Sequence, residues 1–383
     1  MTQDTKIQKL NYIDAARGIA ILMVVFIHTA QSVDGLSSPA YALAQYGQMG
    51  VQLFFVASAY TLCRTYSTRR GESVPIEAFA IRRFFRIAPL YYVGIVFYWI
   101  VYLATRPLDL HRMMSIGPYS PVDVLANVLF VHGFVPSAMN SIVPGGWSIG
   151  TEMAFYCCFP ILYELFAWLT KKGGGFLTTA IFGTFMVSFM FALVVGMSEY
   201  GIAYRSFFYF NLVNQLPVFM LGMAAFFLQQ REIVPDWIRS TAVQATGFVV
   251  FSVIAAAMWD FKPQIGDVIR PAISGLSFFC LLNLLRLWEK PPALLCTIGR
   301  VSFSMYLFHF VFAKVLLGPI LKSAALPVTP DLILFGSFVL VSAVTLSIAI
   351  FTERTIEKRG IAFGNKLIKQ RQETVGSQYS RKD

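Results

Sequence analysis

The sequence RGIAILMVVFIH sets Arg17 and His28 eleven residues apart. That is close to three turns of helix, so both side chains leave one face, about 16 Å apart along the axis. An imidazole titrates near neutral pH and can take the proton of a hydroxyl as that hydroxyl attacks a thioester. Ionisable groups inside an apolar helix are costly to keep, which makes each a functional candidate. The same pair also fits a snorkelling arginine and a histidine bonded to a neighbouring helix.

Three further constellations carry polar chemistry into apolar runs. In RRFFRIAP, Arg83 and Arg86 lie one turn apart with Arg82 beside them; guanidiniums match phosphate geometry and coenzyme A presents phosphates. Anchoring against anionic lipid is the competing explanation. In GGWSIGTEMAFY, Ser148, Glu152 and Tyr156 recur at i, i+4 and i+8 behind Trp147. They therefore share a stripe that faces other helices. Glu152 could orient His28 or bind an acceptor's hydroxyls, or it could be a structural carboxylate near the headgroups. Gly145 and Gly146 permit a sharp turn into that helix. In SFSMYLFH, Ser302, Tyr306 and His309 fall on one side of a late helix, where hydrogen bonding between helices is favoured over catalysis. No P-loop, HExxH, GxSxG elbow or dinucleotide fingerprint occurs. The five cysteines have no metal-like spacing and read as small buried hydrophobes. Neither a metal nor a permanently bound cofactor is expected.

The elements that must position these residues are membrane helices. The chain is 56% hydrophobic and only 13% charged, against roughly 25% charged in soluble domains. Its apolar residues fall in blocks of about 18 to 22, long enough to cross a ~30 Å hydrocarbon core. The expected spans are 12–30, 46–63, 87–105, 147–169, 176–197, 207–228, 241–259, 268–287, 301–321 and 331–351. The stretch 122–135 is too short to cross and reads as re-entrant or interfacial. The net charge of +11 sits in the links and the tail, the pattern of the positive-inside rule rather than of nucleic-acid binding. With ten spans and both termini cytoplasmic, Arg64, Arg69, Arg70, Arg82, Arg83 and Arg86 share one inner segment, and the tail after Phe351, with eight Lys/Arg against four Asp/Glu, is inside too. Although Lys6 and Lys9 precede an apolar run, no small-residue cleavage pattern follows, so that run is expected to be the first permanent helix. The expected class is an all-α polytopic membrane bundle over residues 1–351, followed by a basic cytoplasmic tail, 352–383, that is a short surface helix or disordered. No internal repeat is apparent, which weakens a transporter of duplicated halves.

Taken in order, these motifs resemble the acyltransferase-3 family of bacterial membrane acyltransferases, over about Tyr12 to Glu357. The resemblance rests on Arg17 and His28, on GVQLFFVASAYTL, and on Arg83 and Arg86. It continues through Trp147, Ser148, Glu152, Phe155 and Tyr156, and ends with Ser302, Ser304, Tyr306, Leu307 and His309. It implies acetyl-CoA as donor, bound from the cytoplasm, His28 as the catalytic residue, donor-binding roles for Arg17, Arg83 and Arg86, and a site role for Glu152. It further implies a glycan or lipid-linked sugar acceptor and a place in the bacterial inner membrane. Family members commonly carry glycine where this chain has Ala59, so helix packing there is expected to differ. No hydrolase-like extracytoplasmic domain of the kind some relatives carry is present in the sequence, so the membrane part is expected to act alone or to hand its product on. The rival from another class is a transporter or flippase of a lipid-linked sugar.

Overall fold

The computed structural model describes residues 10–172, 174–198, 205–230, 236–259, 263–323 and 327–379. The described residues form helices and turns, with no strand. Helix α1 (Asn11–Ala30) is followed by a short α2 (Ser38–Tyr46), capped by the Ser37 hydroxyl, and by α3 (Gly50–Arg69). Next come α4 (Pro75–Thr105), α5 (Pro121–Val128), α6 (Gly146–Thr170) and α7 (Gly174–Met197). Helices α8 (Arg205–Phe210) and α9 (Leu212–Gln229) are one apolar unit, broken at Asn211, whose side chain caps α9. The chain continues through α10 (Asp236–Arg239), α11 (Thr241–Ala257), α12 (Pro263–Arg286) and α13 (Ala293–Arg300). Helix α14 (Ser302–Phe310) widens into a π turn at Val311–Leu316 and resumes as α15 (Leu317–Ser323). Helix α16 (Pro330–Thr352) widens likewise at Glu353–Glu357 and continues as α17 (Lys358–Tyr379).

Among the described residues, seven helical units are long and apolar enough to cross a membrane. Helices also occupy the other three expected windows: α3, α7 and the seventeen-residue α11. Helix α3 falls short on composition for a physical reason. It lies inside the bundle and turns Gln52 and Ser58 toward its neighbours rather than toward lipid. The outer helices show the opposite pattern, with Val93, Val96, Trp99, Ile100 and Leu103 of α4 and Val249, Val250 and Val253 of α11 exposed, as a lipid-facing surface requires. Two parts of the expectation take definite form. The 122–135 stretch is the short α5 plus a tight turn around His132, too short to span. The tail is an ordered helix packed on α4: Phe363 meets Phe85 edge to face at 5.2 Å, and Arg371 pairs with Glu77 at 2.9 Å.

At the Ala59 departure, the close contact is made from the other side. Gly222 of α9 lies so near α3 that a Cβ there would stand 2.3 Å from the Val56 carbonyl oxygen and 2.8 Å from the Ala59 Cβ. The small residue that lets the two backbones meet lies on the partner helix. Of the cysteines, Cys63, Cys280 and Cys296 are buried as expected, Cys158 partly so, and Cys157 faces outward.

Candidate active site

The site begins at one end of the bundle, in a chamber of about 1080 Å³ between α1, α3, α4, α6, α14 and α17. Its wall carries Arg17, Arg69, Arg82, Arg83 and Arg86. These five cations are not equivalent. Arg82 is held by both oxygens of Glu72, at 2.7 and 2.6 Å, and Arg86 pairs with Glu357 at 2.7 Å. Glu357 is buried and also accepts the Ser304 hydroxyl. Arg17, Arg69 and Arg83 make no ion pair among the described residues, and Nε of Arg17 and of Arg83 is buried without a hydrogen-bond partner. The Arg83–Arg86 pair of the sequence is thus divided: Arg86 is fixed by a carboxylate, while Arg83 leans toward the Phe79 ring at 6.0 Å and has no ion-pair partner among the described residues.

Deeper in, a second cavity of about 450 Å³ shares Arg17, Ser58, Glu152 and Phe303 with the first and adds Phe54, Phe55, Ser148, Ser302 and Tyr306. Glu152 stands at the junction. It accepts the Ser58 hydroxyl, and the Tyr156 hydroxyl at 2.5 Å. It interacts with Arg17 across the cavity without closing an ion pair. The stripe on α6 therefore behaves as its spacing required, with Ser148 and Glu152 on the inner cavity and Glu152 and Tyr156 on the outer chamber. Trp147 is the exception. It does not line this cavity but stands behind it, edge to face with Phe55 at 6.1 Å and stacked on Phe210 at 4.5 Å.

The turn that launches α6 explains its geometry. Gly145 has φ +73°, a left-handed conformation that costs little only for glycine. A Cβ there would also strike the Tyr306 hydroxyl at 2.7 Å. That hydroxyl instead donates to the Gly145 carbonyl at 3.0 Å and receives Ser148 at 2.9 Å. Tyr306 is thus the inter-helix bond expected of it. His132, which the sequence reading passed over, supports the same turn: fully buried, its Nε2 meets the Gly146 carbonyl at 3.0 Å. Burial pushes its imidazole below the ordinary range and outweighs the pull of that carbonyl, so it holds the turn as a neutral donor.

Three turns along α1 from Arg17, His28 does not meet Glu152: no hydrogen bond joins them among the described residues, so of the two roles expected of Glu152 the orienting of His28 has no contact behind it. The neighbours of His28 are His309, with ring centroids 5.2 Å apart, and Phe310, at 4.3 Å. Its Nδ1 faces Oε1 of Gln31 at 3.2 Å. An amide oxygen only accepts, so the proton is assigned to Nδ1 and the lone pair to Nε2. The tautomer of His309 follows in the same way. Its Nδ1 lies 2.7 Å from the Tyr306 carbonyl and 3.2 Å from that of Met305, while its buried Nε2 has no partner.

The model of an acyltransferase domain, acyltransferase-3, matches residues 10–352. The chain belongs to the acyltransferase-3 family. A relative, the peptidoglycan O-acetyltransferase OatA of Listeria monocytogenes serovar 1/2a, is 25% identical over 324 residues, covering 78% of this chain and 48% of its own length. The chain thus spans about half the length of that protein. No solved structure matches it. In this family member the structure adds site residues that the sequence reading did not single out: Ser58 and Asn365 on the cavity walls, and Glu357, which accepts the Ser304 hydroxyl, behind Arg86. Glu357 left a weak signal, one of two acids, with Glu353, just past the last apolar span. Asn365 left none, because nothing in the basic tail reveals that it folds back onto the mouth.

Proposed function

We propose that this acyltransferase moves an acetyl or other short acyl group from acyl-CoA, supplied from the cytoplasm, to a hydroxyl of a surface polysaccharide or lipid-linked glycan. The observation that carries this reading is the file itself: a cationic chamber opens, past Arg17 and Glu152, into a cavity that ends at Tyr306, and His309 and His28 follow directly beyond it. Arg17 and Arg83, with Arg69, receive the phosphates of the coenzyme, and Arg86 stands beside them in an orientation set by Glu357. The long uncharged acyl arm then runs inward along Phe54, Phe55 and Phe303. His28 acts through Nε2 as general base. It takes the proton of the acceptor hydroxyl, the oxygen attacks the thioester carbonyl, and collapse of the tetrahedral adduct expels the coenzyme thiolate, which recovers the proton from the imidazolium. His309 assists without reacting. Its Nδ1–H is held by the backbone carbonyls of Tyr306 and Met305, which fixes the ring against that of His28. Glu152 holds Ser58 and Tyr156 in place and faces Arg17, which fixes the passage between donor chamber and reaction cavity.

The test is mass spectrometry and proton NMR of surface glycans from cells carrying the intact gene, a deletion and a His28→Ala copy. The O-acyl signal is expected to vanish in both mutants while glycan abundance holds. If acylation stays constant and glycan amount or location changes, the reading is overturned in favour of transport.

A further inference from the structure

The bundle holds another chamber, unrelated to the donor. A cleft of about 940 Å³ is lined by Arg205, Tyr209, Phe210, Trp259, Asp267 and Arg270. Gln48, just before α3, lies on its wall, whereas Arg69, the last residue of α3, lines the arginine chamber. The length of α3 therefore sets the two about 30 Å apart, at opposite ends of the bundle.

Three features of the cleft point to a ligand. Asp267 ties Arg205 and Arg270 together, the second at 2.6 Å. Two guanidiniums against one carboxylate leave one positive charge over among the described residues of the cleft. Arg270 is only 7% exposed, and its Nε has no hydrogen-bond partner. A buried charged group is normally hydrogen-bonded throughout, so an orphaned donor at a cavity wall marks a place for an acceptor atom. The guanidinium also lies 4.1 Å from the Trp259 ring centroid, and Tyr209 and Phe210 add two further rings. Flat aromatic faces suit the C–H faces of sugar rings, and the carboxylate and amide beside them suit hydroxyls.

The cleft also leads toward the reaction cavity. Phe210 stacks on Trp147, Trp147 meets Phe55, and Phe55 lines the inner cavity with Arg17 and Glu152. A wall of rings separates the two chambers, which gives Trp147 a place that its position behind the cavity otherwise leaves unexplained. We infer that this cleft is the acceptor site, and that it takes a glycan segment bearing a carboxylate: rings against Trp259 and Tyr209, carboxylate toward Arg205 and Arg270. Its meaning as an acceptor site rests on the transferase reading above.

Calorimetric titration of the purified full chain tests it, with a short oligogalacturonate, its carboxyl-reduced neutral counterpart and glucose 1-phosphate as probes. The charged oligosaccharide is expected to bind about tenfold more tightly than the neutral one, a difference of about 1.4 kcal/mol. Arg205→Ala, at a half-exposed position, should abolish that preference, and Trp259→Ala should weaken both oligosaccharides. Coenzyme A binding should be unchanged in either variant. Equal binding of the two oligosaccharides, a preference that survives Arg205→Ala, or binding of the sugar phosphate alone overturns the assignment. If O-acylation of glycans depends on His28 and this preference is absent, only the cleft assignment falls. If the preference holds and no glycan is acylated, the cleft stands as a glycan site and the transferase reading falls.

Discussion

The two ends of the catalytic file use polar groups in opposite ways. At the arginine end, five cations surround an open chamber and two carboxylates, Glu72 and Glu357, fix two of them, so the chamber keeps a net positive charge. At the histidine end no carboxylate among the described residues is bonded to either ring. His28 and His309 are turned by an amide and by backbone carbonyls, each with its proton on Nδ1. An excess of charge in a roomy chamber binds an anion but cannot choose a moment to react. A neutral ring with its lone pair free is a poor anchor and a competent base. On the proposed reading binding belongs to one end and chemistry to the other, and that division can be broken.

The largest effect belongs to His28. Replacing it by alanine removes the base and should lower kcat by about 10²–10⁴-fold, the usual worth of positioned proton transfer, with little change in KM for the acyl donor. Steady-state acyl transfer by purified protein measures both. A raised donor KM with an intact kcat would reverse the assignment of the two ends.

Next comes Arg83. Its guanidinium has no carboxylate partner among the described residues, so Arg83→Ala removes a ligand contact without orphaning a protein group. A charge-assisted hydrogen bond contributes about 1.5–3 kcal/mol, so donor KM should rise by roughly ten- to a hundredfold at nearly constant kcat. An unchanged KM would show that the chamber's charge serves lipid anchoring instead.

These two residues were legible in the sequence because each breaks a pattern: a histidine deep in an apolar run, and arginines clustered where a span begins. The helical windows were legible for the same reason, since hydropathy and length decide what crosses a bilayer. What stayed hidden was pairwise. Periodicity placed Glu152 on the inner stripe of α6 but could not say that Ser58 and Tyr156, rather than His28, would meet it. Nor could it divide Arg83 from Arg86, because that division is made by Glu357, some 270 residues away in the chain. Hydropathy placed the window 46–63, which α3 occupies, but could not say that its Gln52 and Ser58 would turn inward to other helices.

Glu357→Gln sharpens the arginine end by a smaller amount. Glutamine can still accept the Ser304 hydroxyl, so the change isolates the charge on Arg86. That arginine is about a quarter exposed, so solvent screens part of the pair, and the loss should be about 1–2 kcal/mol of stability. It should appear as a lower thermal midpoint in detergent, with a modest rise in donor KM and an intact kcat. A fall in kcat without a change in midpoint would place Glu357 in the chemistry, which the buried position beside Ser304 does not allow.

The smallest effect tests the border between the ends. Tyr306 lines the inner cavity, and its hydroxyl is engaged by Ser148 and by the Gly145 carbonyl. If its role is to hold the turn that launches α6, then Tyr306→Phe loses one hydrogen bond, about 1 kcal/mol, and leaves kcat within about twofold because Ser148 still reaches the Gly145 carbonyl at 3.1 Å. The thermal midpoint should fall slightly and both KM values should hold. A loss of kcat comparable to that of His28→Ala would instead extend the reactive end one turn down α14 and make the tyrosine hydroxyl a partner in proton transfer. The side chain that separates these outcomes is His309. Its Nδ1 bonds the backbone carbonyl of Tyr306, not the phenol, so removing the hydroxyl leaves the tautomer of His309, and with it the setting of His28, undisturbed.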